Sequence, residues 1–317
     1  MRKDVSFTTI VKEEITSKPF SEERKKSLLA AFIKVNGELT IHEGVTSIVL
    51  NTENAKIAKY IYQILQQIYG ISAQLAYLKM MKFNKTTTYR ISINQGVDDL
   101  LDDLSISFLD GKISKNIVYN DDTIGGYLSG AFLASGSVNS PISSNYHLEI
   151  SVDNDNYAKW LSKLLLHYNK GIFNVKITQR RKSFVLYLKK SDQIADFLIL
   201  IGATDSCMEF ENVRIDRDFS NIGNRLVNCD QANFEKTIKS AKRQLKDIKI
   251  INDSIGIDAL KNIKQITLCH LRVDNDDATM QELASLMSEQ LHENVSKSNI
   301  SHLFRQLHEI ADKYRGK

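Results

Sequence analysis

Between Gly125 and Val138 the chain is small and apolar almost without a break, with Leu128, Ala131, Phe132 and Leu133 placed around Gly130 and Ala134. That run predicts a short helix. Glycine costs a helix interior about 1 kcal/mol, so Gly130 needs a packing reason. Gly130 and Ala134 share one helix face, and small residues there let a second backbone come close. Gly136 is expected to end the helix in a left-handed cap. Ser27 to Gly37 repeats the pattern earlier in the chain: Leu29 answers Leu128, Ala31 answers Gly130, Phe32 answers Phe132 and Gly37 answers Gly136. The segments that follow repeat too. Ser47–Asn51 and a helical run through Ala58 match His147–Ser151 and a run through Ala158. Duplication on this scale predicts two pseudosymmetric halves.

Within the first half, Phe7–Ile15 reads as a short helix, and Ser21-Glu22-Glu23 opens the next with a serine cap and acids in its first turn. Asn54 to about Tyr69 is amphipathic, with Ile57, Ile61, Ile64 and Leu65 on one face. Ile71–Met81 and Thr86–Ile93 read as a strand pair carrying Lys79, Lys82, Lys85 and Arg90 with no acid. An acidic helix around Asp98–Asp103 joins the halves. The second half has its helix at Tyr157–Tyr168. Its strand pair, Phe173–Thr178 and Phe184–Leu188, carries Lys176, Arg180, Arg181, Lys182, Lys189 and Lys190, again with no acid. Basic strand pairs are either nucleic-acid surfaces or solvated hairpin tips, and the pattern leaves both open.

Beyond residue 220 the periodicity is helical. Asn221–Asp230 is rich in asparagine, and Asn224, Arg225 and Asn228 either touch phosphate or make caps and interdomain hydrogen bonds. Phe234, Ile238, Ala241, Leu245 and Ile248 then mark an amphipathic helix whose other faces carry Lys236, Lys239, Lys242, Arg243 and Lys246. Three more helices follow: Asp258–Leu271, a second opened by the capping box Thr279-Met280-Gln281-Glu282, and a third opened by Ser296-Lys297-Ser298-Asn299. The third buries Ile300, Leu303, Phe304, Leu307, Ile310 and Ala311. It offers Ser298, Asn299, Ser301, His302, Arg305 and Gln306, side chains able to read base edges or grip phosphate. The polar turn before it, through His292-Glu293-Asn294, is several residues longer than a compact helix-turn-helix uses. A plain bundle for protein contacts fits the same pattern.

Composition narrows the classes. The chain has 317 residues, 42% hydrophobic and 25% charged, enough for two or three domains. A net charge of +4 suits a polyanionic partner without requiring one. The three cysteines, Cys207, Cys229 and Cys269, form no Cys-x-x-Cys pair, which argues against a disulfide framework or zinc ribbon and suits a reducing cytoplasm. The start of the sequence is polar rather than an apolar signal core, and no run approaches the ~18 apolar residues of a membrane span. No Gly-Lys-Ser/Thr follows the glycines at 125–130, so they form no phosphate-binding loop. The seven histidines are dispersed, and no metal or cofactor site is expected.

The paired small-residue helices resemble the LAGLIDADG motif of homing endonucleases. The run Gly130–Val138, the Asn-rich segment and Val295-Ser296-Lys297-Ser298 are together similar to the WhiA family, in which a degenerate LAGLIDADG scaffold precedes a helix-turn-helix. The resemblance covers nearly the whole chain. It implies an α+β fold of two αββα-type repeats and then an all-α domain: repeats at 1–106 and 107–220, a linker helix at 221–255 and the helix-turn-helix at 256–317. It also implies a saddle-shaped sheet surface facing DNA, with Lys82, Lys85, Arg90, Arg180, Arg181, Lys182, Arg225, Lys242 and Arg243 as backbone contacts. Thr279, Lys297, Ser298, Asn299, Ser301, His302, Arg305 and Gln306 are the expected DNA-binding set.

LAGLIDADG endonucleases end each motif helix with an acid that binds catalytic metal. The matching positions here are Asn36 and Ser135, and neither supplies the charge that divalent cations require. Glu38 lies beyond Asn36, but its counterpart is Ser137, so no symmetric acid pair exists. The resemblance therefore implies a non-enzymatic, cytoplasmic, nucleoid-associated protein. It would bind double-stranded DNA and regulate transcription in bacterial cell division and chromosome segregation, and in sporulation where the host sporulates. Other regulatory or division proteins are possible partners, and no membrane is involved. The rival readings are an active endonuclease and an interaction scaffold whose helix-turn-helix docks a protein.

Overall fold

The computed structural model describes residues 5–42, 44–79, 87–108, 111–168 and 171–315. The chain forms two compact units, one ending at Arg217 and the other beginning at Asp218.

The first unit is an α+β duplication. Its elements are α1 (Phe7–Ser17), α2 (Glu22–Asn36), β1 (Gly37–His42), β2 (Val45–Thr52), α3 (Ala55–Tyr69), β3 (Gln74–Lys79), β4 (Thr87–Ile93) and α4 (Val97–Asp103). The second repeat follows as α5 (Asp121–Ser135), β5 (Gly136–Val138), β6 (Leu148–Val152), α6 (Asp155–His167), β7 (Lys176–Arg180), β8 (Ser183–Leu188) and α7 (Ser191–Leu200). The sheets have the same antiparallel order, β1-β2-β4-β3 and β5-β6-β8-β7, which confirms the duplication.

Helices α2 and α5 lie against each other at the centre, with Leu28, Leu29, Ala31, Phe32, Leu128, Ala131 and Phe132 almost fully buried. The small residues set the spacing. A Cβ on Gly130 would stand 2.0 Å from the Leu28 carbonyl oxygen, and one on Gly126 would stand 2.5 Å from that of Arg24. Arg24 also ties the repeats together. It donates to Asp122 (2.9 Å) and to the Leu200 carbonyl (2.7 Å) while stacking over Phe20.

The left-handed cap expected at Gly136 is not formed. Gly37 and Gly136 are extended, with φ of −77° and −74°, and each leads straight from its helix into a strand. Glycine is required at 136 for space instead, because a Cβ there would meet the Phe132 ring at 2.2 Å. Strand limits also differ from expectation. β7 begins at Lys176, because Phe173 is buried in the core beside the Tyr168 ring.

Helix α8 (Thr204–Ile255) is shared by the two units. Its start is capped by Glu14, whose carboxylate accepts from the backbone N–H of Asp205 and Ser206 (2.8 Å each) and from the Ser206 hydroxyl (2.6 Å). The Asn-rich segment lies inside this helix rather than opening a new one.

In the second unit, α9 (Ile263–Asp274), α10 (Met280–Leu291) and α11 (Lys297–Asp312) close a core with Ile248 and Ile251 of α8. The first of these helices begins later than the apolar period predicts. Gly256, at φ +83°, breaks α8, a single 3₁₀ turn occupies Ile257–Ala259, and Asn262 caps α9. Arg272 is 1% exposed and holds the α9–α10 connection by donating to the carbonyls of Asn275 (3.2 Å) and Ala278 (2.7 Å).

Candidate nucleic-acid interface

Helix α11 is positioned by its apolar face: Ile300, Leu303, Phe304, Leu307 and Ala311 are buried. Its start is fixed by Ser296, whose hydroxyl accepts from the Asn299 N–H (3.2 Å). The turn from α10 runs from His292 to Ser296, and its length has a structural reason. Val295 is buried in the core, and its N–H donates to the Ser288 hydroxyl (3.0 Å). His292 takes the left-handed conformation at φ +50° that this turn needs.

Opposite the buried face, Lys297, Ser298, Asn299, Ser301, His302 and Arg305 are exposed. Ser298, Ser301, His302 and Arg305 are three, four and seven residues apart, hence one ridge. Arg305 Nη2 lies 2.7 Å from His302 Nδ1, which orders both side chains. Gln306, half-buried, accepts from Gln265 of α9 (3.0 Å), and its amide nitrogen lies 3.0 Å from His302 Nε2, so it braces the ridge from behind. Thr279 is exposed but serves as the α10 cap, accepting from the Glu282 N–H (3.2 Å) while the Glu282 carboxylate accepts from the Thr279 N–H (2.6 Å). These contacts hold the Glu282 carboxyl below the usual carboxylate range.

The charged positions of α8 divide in two. Arg225 and Lys242 are exposed. Arg243 is exposed as well, but its guanidinium contacts His308 Nε2, and His308 Nδ1 lies 2.7 Å from the buried Asp247 carboxylate. Arg315 also binds Asp247. Sequence reasoning missed this network. Its one visible signal was an acid, Asp247, beside Ile248 on the apolar face of the helix.

In the first unit, Arg90, Arg180, Arg181 and Lys182 are exposed, while Lys82 and Lys85 lie outside the described residues. Strand alternation places Arg90 on the sheet face opposite the buried Ile91. The strand pair of the second repeat is not free of acid influence. Arg180 reaches across the sheet to Glu149 of β6 (2.8 Å), which also meets His147 Nε2 (2.8 Å). Both partners hold the Glu149 carboxyl below its ordinary value against an opposing effect of burial. Arg181, at φ +54°, and Lys182 form the hairpin tip between β7 and β8.

At the ends of the motif helices, Asn36 is engaged as a neutral acceptor: its Oδ1 takes the Asn51 N–H (2.8 Å). Ser135 turns its hydroxyl back on the Ala131 carbonyl (3.5 Å). These amide and hydroxyl groups do not fit the divalent metal of the endonucleases. Among the described residues, no group of three or more His, Cys, Asp and Glu is placed to hold a metal ion. No helix among them is long and apolar enough to cross a membrane.

Three families match in chain order: the WhiA N-terminal LAGLIDADG-like domain over residues 22–107, the WhiA LAGLIDADG-like domain over 124–220, and the WhiA C-terminal HTH domain over 224–311. The full-length DUF199/WhiA crystal structure from Thermatoga maritima shares the fold, with TM-score 0.59, 23% identity and coverage of 99% of this chain and 100% of that one. The relative from Lacticaseibacillus paracasei, named "Probable cell division protein WhiA", is 38% identical over 98% of both chains. One of the same name from Enterococcus faecalis is 38% identical over 99% of both. With a degenerate LAGLIDADG pair, a helix-turn-helix and identity of this order along the whole length, the chain belongs to the WhiA family.

Proposed function

We propose that this protein binds double-stranded DNA through α10 and α11 and that the pseudosymmetric first unit is a nuclease scaffold that no longer cleaves. The carrying observation is the ridge of Ser298, Ser301, His302 and Arg305, exposed and ordered on a helix whose opposite face is wholly packed. Hydroxyl, imidazole and guanidinium groups on one rigid helix are the equipment of major-groove readers. Lys297 at the helix start and Lys242 on α8 supply cations for phosphate contact. The names of the relatives and the domain order support a role in cell division. Transcriptional regulation is the mechanism we favour, with chromosome segregation and, in sporulating hosts, sporulation as its outputs. On this reading the protein works in the cytoplasm at the nucleoid and meets other regulatory or division proteins there.

A gel-shift on pooled genomic fragments tests the reading, run in Mg²⁺ at two salt concentrations. The full chain is expected to shift a subset of fragments intact. The pair Lys297→Ala and Arg305→Ala is expected to lower affinity for every fragment and to flatten its salt slope. Unchanged DNA binding by the pair would favour the protein-docking scaffold, and cleaved fragments would overturn the argument from Asn36 and Ser135.

A further inference from the structure

A cavity of about 290 Å³ opens between α8, α10 and α11, with Phe304 and Met280 in its wall. Two arginines line it, Arg243 from α8 and Arg305 from α11. Among the described residues neither has a carboxylate partner, unlike Arg315, which binds Asp247 and Asp312. Each is instead held by an imidazole, Arg243 by His308 and Arg305 by His302. The tautomer follows from the geometry. His308 donates from Nδ1 to Asp247, so its Nε2 is left to accept from Arg243. Asp247 also lines the cavity, but it is 4% exposed and both its oxygens are taken, one by His308 and one by Arg315. Through His308 it holds Arg243 in place rather than competing for it.

Gln244 lines the same cavity and is 8% exposed, and its Oε1 has no hydrogen-bond partner. A buried amide oxygen without a partner calls for a donor, so it takes no part in holding an anion. Each guanidinium has five N–H donors and spends few of them on its imidazole. Two such forks around one small cavity match the oxygens of a single phosphoryl group.

We propose that this cavity is a phosphate site in which Arg243 and Arg305 grip one phosphoryl group together. Resting on the DNA reading above, that group is a backbone phosphate beside the bases reached by Ser298, Ser301 and His302. Arg305 then fixes the register of α11 and reads no base itself. A free phosphate-bearing small molecule would present the same chemistry, and the test separates the two.

The experiment uses the full chain and its variants Arg243→Gln, Arg305→Gln and the double substitution, each checked for an unchanged circular dichroism spectrum. Fluorescence anisotropy measures affinity for a selected duplex and for an unrelated duplex across a salt series. Each single variant is expected to weaken both duplexes by a similar factor, about tenfold, and to lower the salt slope by about 1. The second substitution should cost less than the first, because the two share one phosphate. Loss of preference for the selected duplex with unrelated binding intact would assign Arg305 to a base and overturn the proposal. Unchanged binding by Arg243→Gln would overturn it too. Inorganic phosphate in a thermal-shift assay provides the second arm. If wild type binds no duplex, the DNA reading fails. Stabilisation by phosphate that is lost in the double variant would then keep the site as one for a small phosphate ligand, and no stabilisation would remove it.

Discussion

Lys12 illustrates how one side chain can bias stability. It sits on α1 with its ammonium 5.7 Å from the centre of the Phe132 ring, and burial lowers its pKa from 10.5 to about 8. A lowered lysine means that the unfolded chain binds the proton more tightly, so stability rises with pH between about 8 and 10.5. Below about 8 the buried charge is a standing cost. Lys12→Met keeps the apolar stem and removes that charge. It should stabilise the first unit at pH 7 by about 1–2 kcal/mol, a rise of roughly 2–8 °C in Tm. The gain should shrink as thermal scans are repeated above pH 8, and a pH-independent gain would mean that packing, not charge, was responsible. The cysteines show the same effect of burial. It pushes the Cys207 thiol up to about 11 and that of Cys269 to about 12, while Cys229 is exposed on α8. A thiol reagent at pH 8 should therefore modify Cys229 alone in the folded protein, and the other two only after denaturation. Rapid modification of all three without denaturant would contradict the buried positions.

At the scale of elements, one substitution should act with opposite signs on two helices. Gly130→Ala in α5 drives a methyl to 2.0 Å from the Leu28 carbonyl oxygen. Overpacking outweighs the ~1 kcal/mol of helix propensity gained, for a net loss of about 2 kcal/mol and a Tm lower by roughly 4–8 °C. Gly223→Ala in α8 meets nothing within 4 Å and should stabilise by about 0.5–1 kcal/mol. Equal effects in differential scanning calorimetry would refute the close packing of α2 on α5. That packing was legible in the sequence because small residues recur at helical spacing in both repeats, and the α11 core was legible from its unbroken apolar period. The cap was not. Gly136 matched a left-handed stop by position, but its role depends on what a Cβ would strike, the Phe132 ring. Nor could the chain disclose that Glu149 binds Arg180, or that Asp247 holds His308 and Arg315, since each pair forms only when distant segments meet. The start of α9 was misplaced because apolar period alone does not register Gly256 and Asn262 as a break and a new cap.

For the whole molecule, the proposed DNA binding raises the question of how much affinity each unit contributes. A net charge of +4 is modest, so binding must come from where the cations stand rather than from their total. In the first unit, Arg180 is largely neutralised by Glu149, and the exposed hairpin tip of Arg181 and Lys182 is the next cationic group on that strand pair. In the second, Lys297 and Arg305 stand exposed on α11. We predict effects of different size for the two pairs. Arg181→Ala with Lys182→Ala should lower affinity for every duplex alike and reduce the slope of log K against log salt by about 1–2, leaving fragment preference intact. Lys297→Ala with Arg305→Ala should remove the larger share of affinity and lower the salt slope further, because these cations stand on α11 itself. Because the two pairs share no partner, their effects on log K should add within about 0.5 kcal/mol when combined. Titrations of all four proteins at matched salt decide the matter. A hairpin pair that leaves the slope unchanged would confine DNA contact to the second unit and make the duplicated unit a pure scaffold. A hairpin pair that alters fragment preference would show that the old nuclease surface still reads sequence.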